Sequence, residues 1–273
     1  MKRDRKSMFV LSLVTAAMLV IPTLSASAAV NYGSYGFKWP TPNTTITGVY
    51  GESRDSGPHK GIDIRANYAP VYAAQEGLIS FSGTYSDGTQ AIHIVHPFLG
   101  NSGLNITSRY LHLSAKNYST VTYVSKGTLI ATSGTSGGVA PHLHFDINDQ
   151  NVDYPTFAQT IDPMLFYPSM FALLVSPNDE LRTSDIEEDH HHEIDYNNPD
   201  NVVSQTLINY VGVEKFQEWF DSNSIENRTN REFKSHFNIS DDKERELNEI
   251  EIENAKQKYK DNPQALSILN TLE

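Results

Sequence analysis

The sequence predicts a mainly β domain, built on antiparallel sheet, followed by an acidic, mostly α-helical C-terminal region. Three observations carry this. Short runs rich in β-branched and aromatic residues recur from residue 71 onward, separated by clusters of Gly, Ser, Asn and Asp. Charge divides the chain near residue 177: residues 29–176 hold 7 Lys+Arg against 9 Asp+Glu, whereas residues 177–273 hold 10 against 23. The composition changes at the same place, from Gly, Thr, Ser and Tyr to Glu, Lys and Asn.

The strand-like runs are Val71–Ala74, Leu78–Ser82, Ala91–His96, Thr107–Leu113 and Thr128–Ala131. Turns are predicted at Ser86-Asp87-Gly88, at Gly100-Asn101-Ser102-Gly103 and across Ser133 to Gly138. Many short strands with frequent turns suggest a sandwich or an open barrel. Beyond a linker starting near Ser176-Pro177-Asn178-Asp179, Val203, Leu207, Tyr210 and Val211 form one stripe at helical spacing. Leu247, Ile250, Ala255 and Leu266 form a second, less regular one, and the polar stretch Asp221–Ile239 reads as a mobile connection.

Composition narrows the function classes. A chain of 273 residues with 38% hydrophobic residues and a net charge of -12 argues against a general nucleic-acid binder, which needs a basic surface to replace phosphate counterions. There is no cysteine, hence no disulfide framework, no thiolate nucleophile and no thiolate zinc site. The N-terminus has the three parts of a secretory signal: Lys2, Arg3, Arg5 and Lys6, then the apolar run Met8–Ile21, then Ala26-Ser27-Ala28. The run is shorter than the roughly 20 residues needed to span a bilayer. The expected organisation is a signal peptide at 1–28, a β domain at 29–176 and the acidic region at 177–273, with no stable membrane span after cleavage.

Histidine carries the chemistry. In His59-Lys60-Gly61-Ile62-Asp63, an imidazole and a carboxylate, both good zinc ligands, can meet around a turn. Taken alone, the pattern is weak and reads more readily as a turn with two solvated polar residues. In Pro141-His142-Leu143-His144-Phe145, residues two apart share a strand face, so Leu143 and Phe145 enter the core and both histidines face one site. Two such close imidazoles resist both being cationic, a conflict resolved by a metal on one and a proton-transfer role for the other. In Ser108-Arg109-Tyr110-Leu111-His112-Leu113, alternation puts His112 and Tyr110 on one face, with Tyr110 read as a packed strand residue. Two His and one Asp would leave a tetrahedral zinc one open position for water, whose pKa zinc lowers towards 7.

Together, His59-x-x-x-Asp63, Tyr110-x-His112-Leu113 and His142-x-His144 resemble the lysostaphin-type (LytM-like) zinc endopeptidases, over a stretch from Trp39 to Phe145. The resemblance implies a lysostaphin-like fold and zinc on His59, Asp63 and His144. It also implies that His112 and His142 act on the water and the oxyanion, and that the substrate is a peptide bond of bacterial peptidoglycan. Own-wall remodelling in a Gram-positive bacterium and attack on rivals fit equally. A catalytically silent wall-binding or hydrolase-regulating protein is the competing reading, disfavoured because all five positions are filled. Two features depart from the family: a longer stretch between His96 and Tyr110, and Ala140 where Gly is usual. His93 and His96 are read as structural, and His190-His191-His192 as part of a solvated linker. The C-terminal region names no partner; Tyr210, Phe216, Trp219 and Phe220 are either a partner-binding patch or, preferably, its own small core.

Overall fold

The structure, a computed structural model, describes residues 31–97, 105–149, 154–170 and 199–272. The signal-like segment, the linker start, the triple histidine and most of the stretch between His96 and Tyr110 lie outside the described residues.

Fourteen short strands are described: β1 Ile46–Gly48, β2 Ser53–Arg54, β3 Gly57–Pro58, β4 Ile62–Arg65, β5 Pro70–Tyr72, β6 Gly77–Tyr85, β7 Gln90–His96, β8 Ile106–Leu111, β9 Leu113–Lys116, β10 Thr122–Val124, β11 Leu129–Ser133, β12 His142–Asn148, β13 Thr160–Ile161 and β14 Val202–Ser204. The five predicted runs fall on β5, β6, β7, β8–β9 and β11. The main sheet is antiparallel in the order β1-β4-β12-β8-β7-β6-β10, with β13 added to β12 and β14 to β6. A smaller sheet, β5-β11-β9, lies against its inner face, and β2 and β3 form a hairpin.

The core follows from period-two alternation. Leu143, Phe145 and Ile147 of β12, Tyr110 of β8 and Ile92 and Ile94 of β7 point inward against Val71, Leu113, Ile130 and Ala131 of the small sheet. The residues that alternate with these, including His144, Asp146, Arg109 and His93, are left for the outer face.

One expectation fails between β8 and β9. Strict alternation puts Tyr110 and His112 on one face, yet Tyr110 and Leu113 share the core while Leu111 joins a separate outer cluster. The reason is His112 itself, whose backbone is left-handed (φ 63°) and resets the alternation. That conformation costs an L-residue about 1–2 kcal/mol.

The acidic region holds five described α-helices: α1 Gln205–Val211, α2 Val213–Ser222, α3 Asn230–Phe237, α4 Asp241–Lys258 and α5 Pro263–Leu269. Val203, expected on a helical stripe, lies instead on β14, antiparallel to β6 with Val203 opposite Thr84. Helix α1 starts only at the next turn, where Ser204 Oγ accepts from Leu207 N at 3.3 Å. The polar stretch read as a connection contains α3, capped by Thr229 and anchored by the fully buried Phe233, whose ring lies 5.0 Å from that of Trp219. Phe216, Trp219 and Phe220 belong to the region's own core, while Tyr210 is exposed. Ala255 of α4 and Ile268 and Leu269 of α5 pack on Leu78 and Val95, at the outer face of β6 and β7. Among the described residues no helix is long and apolar enough to cross a membrane.

His96 is a buried strut. It is stacked edge-on to Phe37, its Nδ1 donates to Glu76 O at 2.8 Å, and its Nε2 meets Ser108 Oγ at 2.8 Å. Burial pushes its pKa down to about 4, against about 6.5 in an unfolded chain. Between those values the unfolded chain takes up a proton that the fold refuses. The stabilisation is therefore complete above pH 6.5 and is lost as pH falls towards 4. His96→Gln should be less stable at neutral pH but should lose stability less steeply from pH 6.5 to 4, by up to about 1.4 kcal/mol per pH unit. Urea titrations across that range check this; equal slopes would contradict it.

Candidate metal centre and active site

The pairing of β4 with β12 sets His144 directly opposite Asp63, and β12 with β8 sets it opposite Leu111. His59 comes from the turn just before β4, where a Cβ on Gly61 would lie 2.4 Å from Phe145 O, so only glycine lets the turn press on β12. Three donor atoms thereby meet. His59 Nε2 and His144 Nδ1 are 3.0 Å apart, and Asp63 Oδ1 lies 3.2 Å from the first and 3.0 Å from the second. All three side chains are buried.

Their outer contacts decide the protonation. His59 Nδ1 donates to Val49 O at 2.9 Å, because a carbonyl can only accept, so the neutral ring turns a lone pair at Nε2 inward. His144 Nε2 donates to Asp146 Oδ2 at 3.0 Å, leaving Nδ1 as its inward atom. Asp146 is in turn gripped by Arg109, with Nε on Oδ1 at 2.7 Å and Nη2 on Oδ2 at 2.8 Å. Asp63 Oδ2 accepts from Arg54 Nη2 at 2.5 Å, and a Cβ on Gly48 would collide with both groups.

Three acceptor atoms around one point call for positive charge. Burial alone would lower the His144 pKa, but its bonds to Asp146 and Asp63 outweigh it and the net shift is upward. Burial would raise Asp63, but the nearby imidazoles of His144 and His59 hold it well below the usual carboxylate range. Burial keeps the His59 imidazole neutral by pushing its pKa down. Either a proton or a cation satisfies this arrangement. The donor set of two imidazoles and one carboxylate fits zinc, whose tetrahedral ligand-to-ligand edges are about 3.3 Å for bonds of 2.0–2.1 Å.

Two more imidazoles flank the cluster. His142 Nδ1 donates to Ala140 O and His112 Nδ1 to Ser136 O, each at 2.8 Å. Both rings therefore present Nε2 as their other nitrogen. Their centroids are 4.6 Å apart, and His142 Nε2 is 3.6 Å from Asp63 Oδ1. Ala140 is not among the residues of positive φ, so its backbone conformation does not require glycine.

All five predicted residues thus come together. Tyr110 stays out: its hydroxyl accepts from Ala74 N at 2.8 Å and is hydrogen-bonded to Ser108 Oγ at 3.0 Å, within the core. His93 is also structural, bonded to the Tyr85 hydroxyl at 3.0 Å and packed by Phe81 and Tyr154. Sequence reasoning missed Asp146, Arg109 and Arg54. Asp146 had a signal, standing two residues beyond His144 on the same strand face. Arg109 needed the register that sets it opposite Asp146, and Arg54 had no signal.

The antiparallel sheet thus presents a His-Asp-His cluster beside a second pair of imidazoles. In comparison with known proteins, residues 57–154 match Peptidase family M23. Lysostaphin of Staphylococcus simulans is 33% identical over 126 residues, covering 45% of this chain and 24% of that protein. The chain thus spans about a quarter of the length of the curated relatives it matches. Among solved structures, the catalytic domain of that antimicrobial peptidase is 28% identical, covering 51% of this chain and 95% of that one, with a TM-score of 0.36. A zinc-containing peptidase from Vibrio cholerae is 27% identical, covering 41% and 36%, with a TM-score of 0.37.

The Arg109–Asp146 pair is buried on both sides. Asp146→Ala leaves the guanidinium uncompensated and should destabilise the fold by about 3–5 kcal/mol. Asp146→Ala with Arg109→Met should recover much of that loss. Chemical denaturation of the single and double variants measures both; a single variant as stable as wild type would contradict the account.

Proposed function

We propose that the protein is a secreted, zinc-dependent endopeptidase that hydrolyses peptide bonds of bacterial peptidoglycan. One observation carries the reading: His59 Nε2, Asp63 Oδ1 and His144 Nδ1 converge within 3.2 Å of one another beside the paired rings of His112 and His142. The match of residues 57–154 to Peptidase family M23 supports the reaction class. The export signal expected at residues 1–28 would deliver the enzyme to the wall.

A zinc ion held by the three donors would supply Lewis acidity, easing the ionisation of water and the polarisation of a carbonyl near neutral pH. The rest is the work of side chains. Val49 O and Asp146 keep one lone pair of each ligating imidazole directed inward. His142, nearest the donor cluster, takes the proton of the attacking water at Nε2, and the water oxygen bonds to the scissile carbon. His112, fixed by Ser136 O, presents Nε2 to the carbonyl oxygen and in its protonated form stabilises the negative charge that develops there. As the C–N bond breaks, the proton on His142 passes to the leaving amine. A silent binding protein would need none of this pairing.

His144→Ala should lose both stoichiometric zinc and hydrolysis. His142→Ala should keep its zinc and lose about 10²–10⁴-fold in kcat, the usual worth of a general base. Metal analysis and the release of new amino termini from purified peptidoglycan read both outcomes. Full hydrolysis by a metal-free His144→Ala protein would refute the reading.

A further inference from the structure

We propose that the C-terminal helical region is a positioning element for His112, acting through two stacked turns. The inference rests on the reading of His112 as a catalytic residue and assigns a role to a region outside the family match.

The first link is main chain. Strand β14 covers the far half of β6, pairing Val202 with Tyr85 and Ser204 with Gly83, and Ser86 N donates to Asn201 O at 2.6 Å. The C-terminal region therefore fixes the point where the β6–β7 turn begins.

The second link is a ring on a glycine. Gly88, at the tip of that turn, has φ 88°, and a Cβ there would lie 3.2 Å from Phe220 Cζ of α2. The phenyl ring thus packs on bare backbone. Its own position is set by Arg228, whose guanidinium lies 4.0 Å over the ring and whose Nε donates to Phe220 O and Asn223 O at 2.9 Å.

The third link joins the two turns. Asp87 closes the first one, accepting from Thr89 N at 2.8 Å and from Thr89 Oγ1 at 2.9 Å. Thr89 then bears on the glycine-rich turn: a Cβ on Gly137 would lie 2.2 Å from Thr89 Oγ1, and Gln90 N donates to Ser136 Oγ at 2.9 Å. Ser136 O is the acceptor that orients the His112 ring. His112 itself holds a left-handed backbone at the junction of β8 and β9, and Ser136 O holds its Nδ1. Contact is continuous from Phe220 through Gly88, Thr89 and Gln90 to Ser136 and His112.

The test is a double-mutant cycle on the full mature chain, using Phe220→Ala and Thr89→Ala singly and together. Initial rates on purified peptidoglycan are combined with zinc analysis and with the ring NMR signals of His112 in zinc-free protein, assigned by their loss in His112→Gln. Phe220→Ala should lower kcat about tenfold with KM and zinc content unchanged, and should shift the His112 signals. Phe220→Leu should give an intermediate loss, and it replaces the alanine variant in the cycle if that variant does not fold. The double variant should be no worse than the worse single one. Independent, multiplying losses, or a Phe220 variant with wild-type kcat and unmoved His112 signals, would overturn the proposal. If wild type cleaves no wall preparation, the endopeptidase reading fails, while the His112 signals still decide this one.

Discussion

Three acceptor atoms, His59 Nε2, Asp63 Oδ1 and His144 Nδ1, are held within 3.2 Å of one another in a buried place, and the rest of the site exists to tolerate that. Such a convergence is repulsive without positive charge at its centre. It survives because the far side of each donor is tied down. Val49 takes the outer proton of His59, Asp146 that of His144, and Arg54 neutralises the second oxygen of Asp63. Arg109 pays the charge of Asp146 in the layer beneath. The cluster is thus a stack of alternating charge and dipole, ordered from the sheet outward.

The sheet supplies the precision. A one-residue slip of β12 against β4 would turn Leu143 and Phe145 to solvent and His142 and His144 to the core, so the hydrophobic core and the donor cluster enforce the same register. His112 is placed by different means. It stands at a break between two sheets, in a strained backbone conformation, and its ring is aimed by a carbonyl from a glycine-rich turn. That makes it the member of the site most open to influence from its neighbours. The C-terminal region reaches those neighbours through β14 and Phe220.

What was legible in the sequence follows the same division. Period-two patterns are local, so the strand faces of β12 and the buried state of Leu143 and Phe145 could be read directly, as could the pairing of His142 with His144. The gathering of His59, Asp63, His112, His142 and His144 was legible only through the order of three motifs. Asp146 was open to the same period-two reading as His144, but Arg109 was hidden because its meaning lies in a cross-strand pairing with a residue 37 positions away. The left-handed His112 defeated the alternation argument, since nothing in Leu111-His112-Leu113 marks a reversal. Val203 looked helical because it shares a stripe with Leu207 and Val211, but Ser204 caps the helix just after it and the open edge of β6 takes it as a strand. Phe233 was passed over because the residues around it are polar and only Phe237, four residues on, repeats its spacing, though it belongs to the helical core.

The most direct test of the account is to titrate zinc into metal-free mature protein while following the digestion of purified peptidoglycan. Binding of one zinc per chain, with new amino termini appearing in proportion to occupancy and vanishing on chelation, is the predicted result. Hydrolysis that proceeds undiminished without metal, or a fully loaded protein that cleaves no wall preparation, would contradict it.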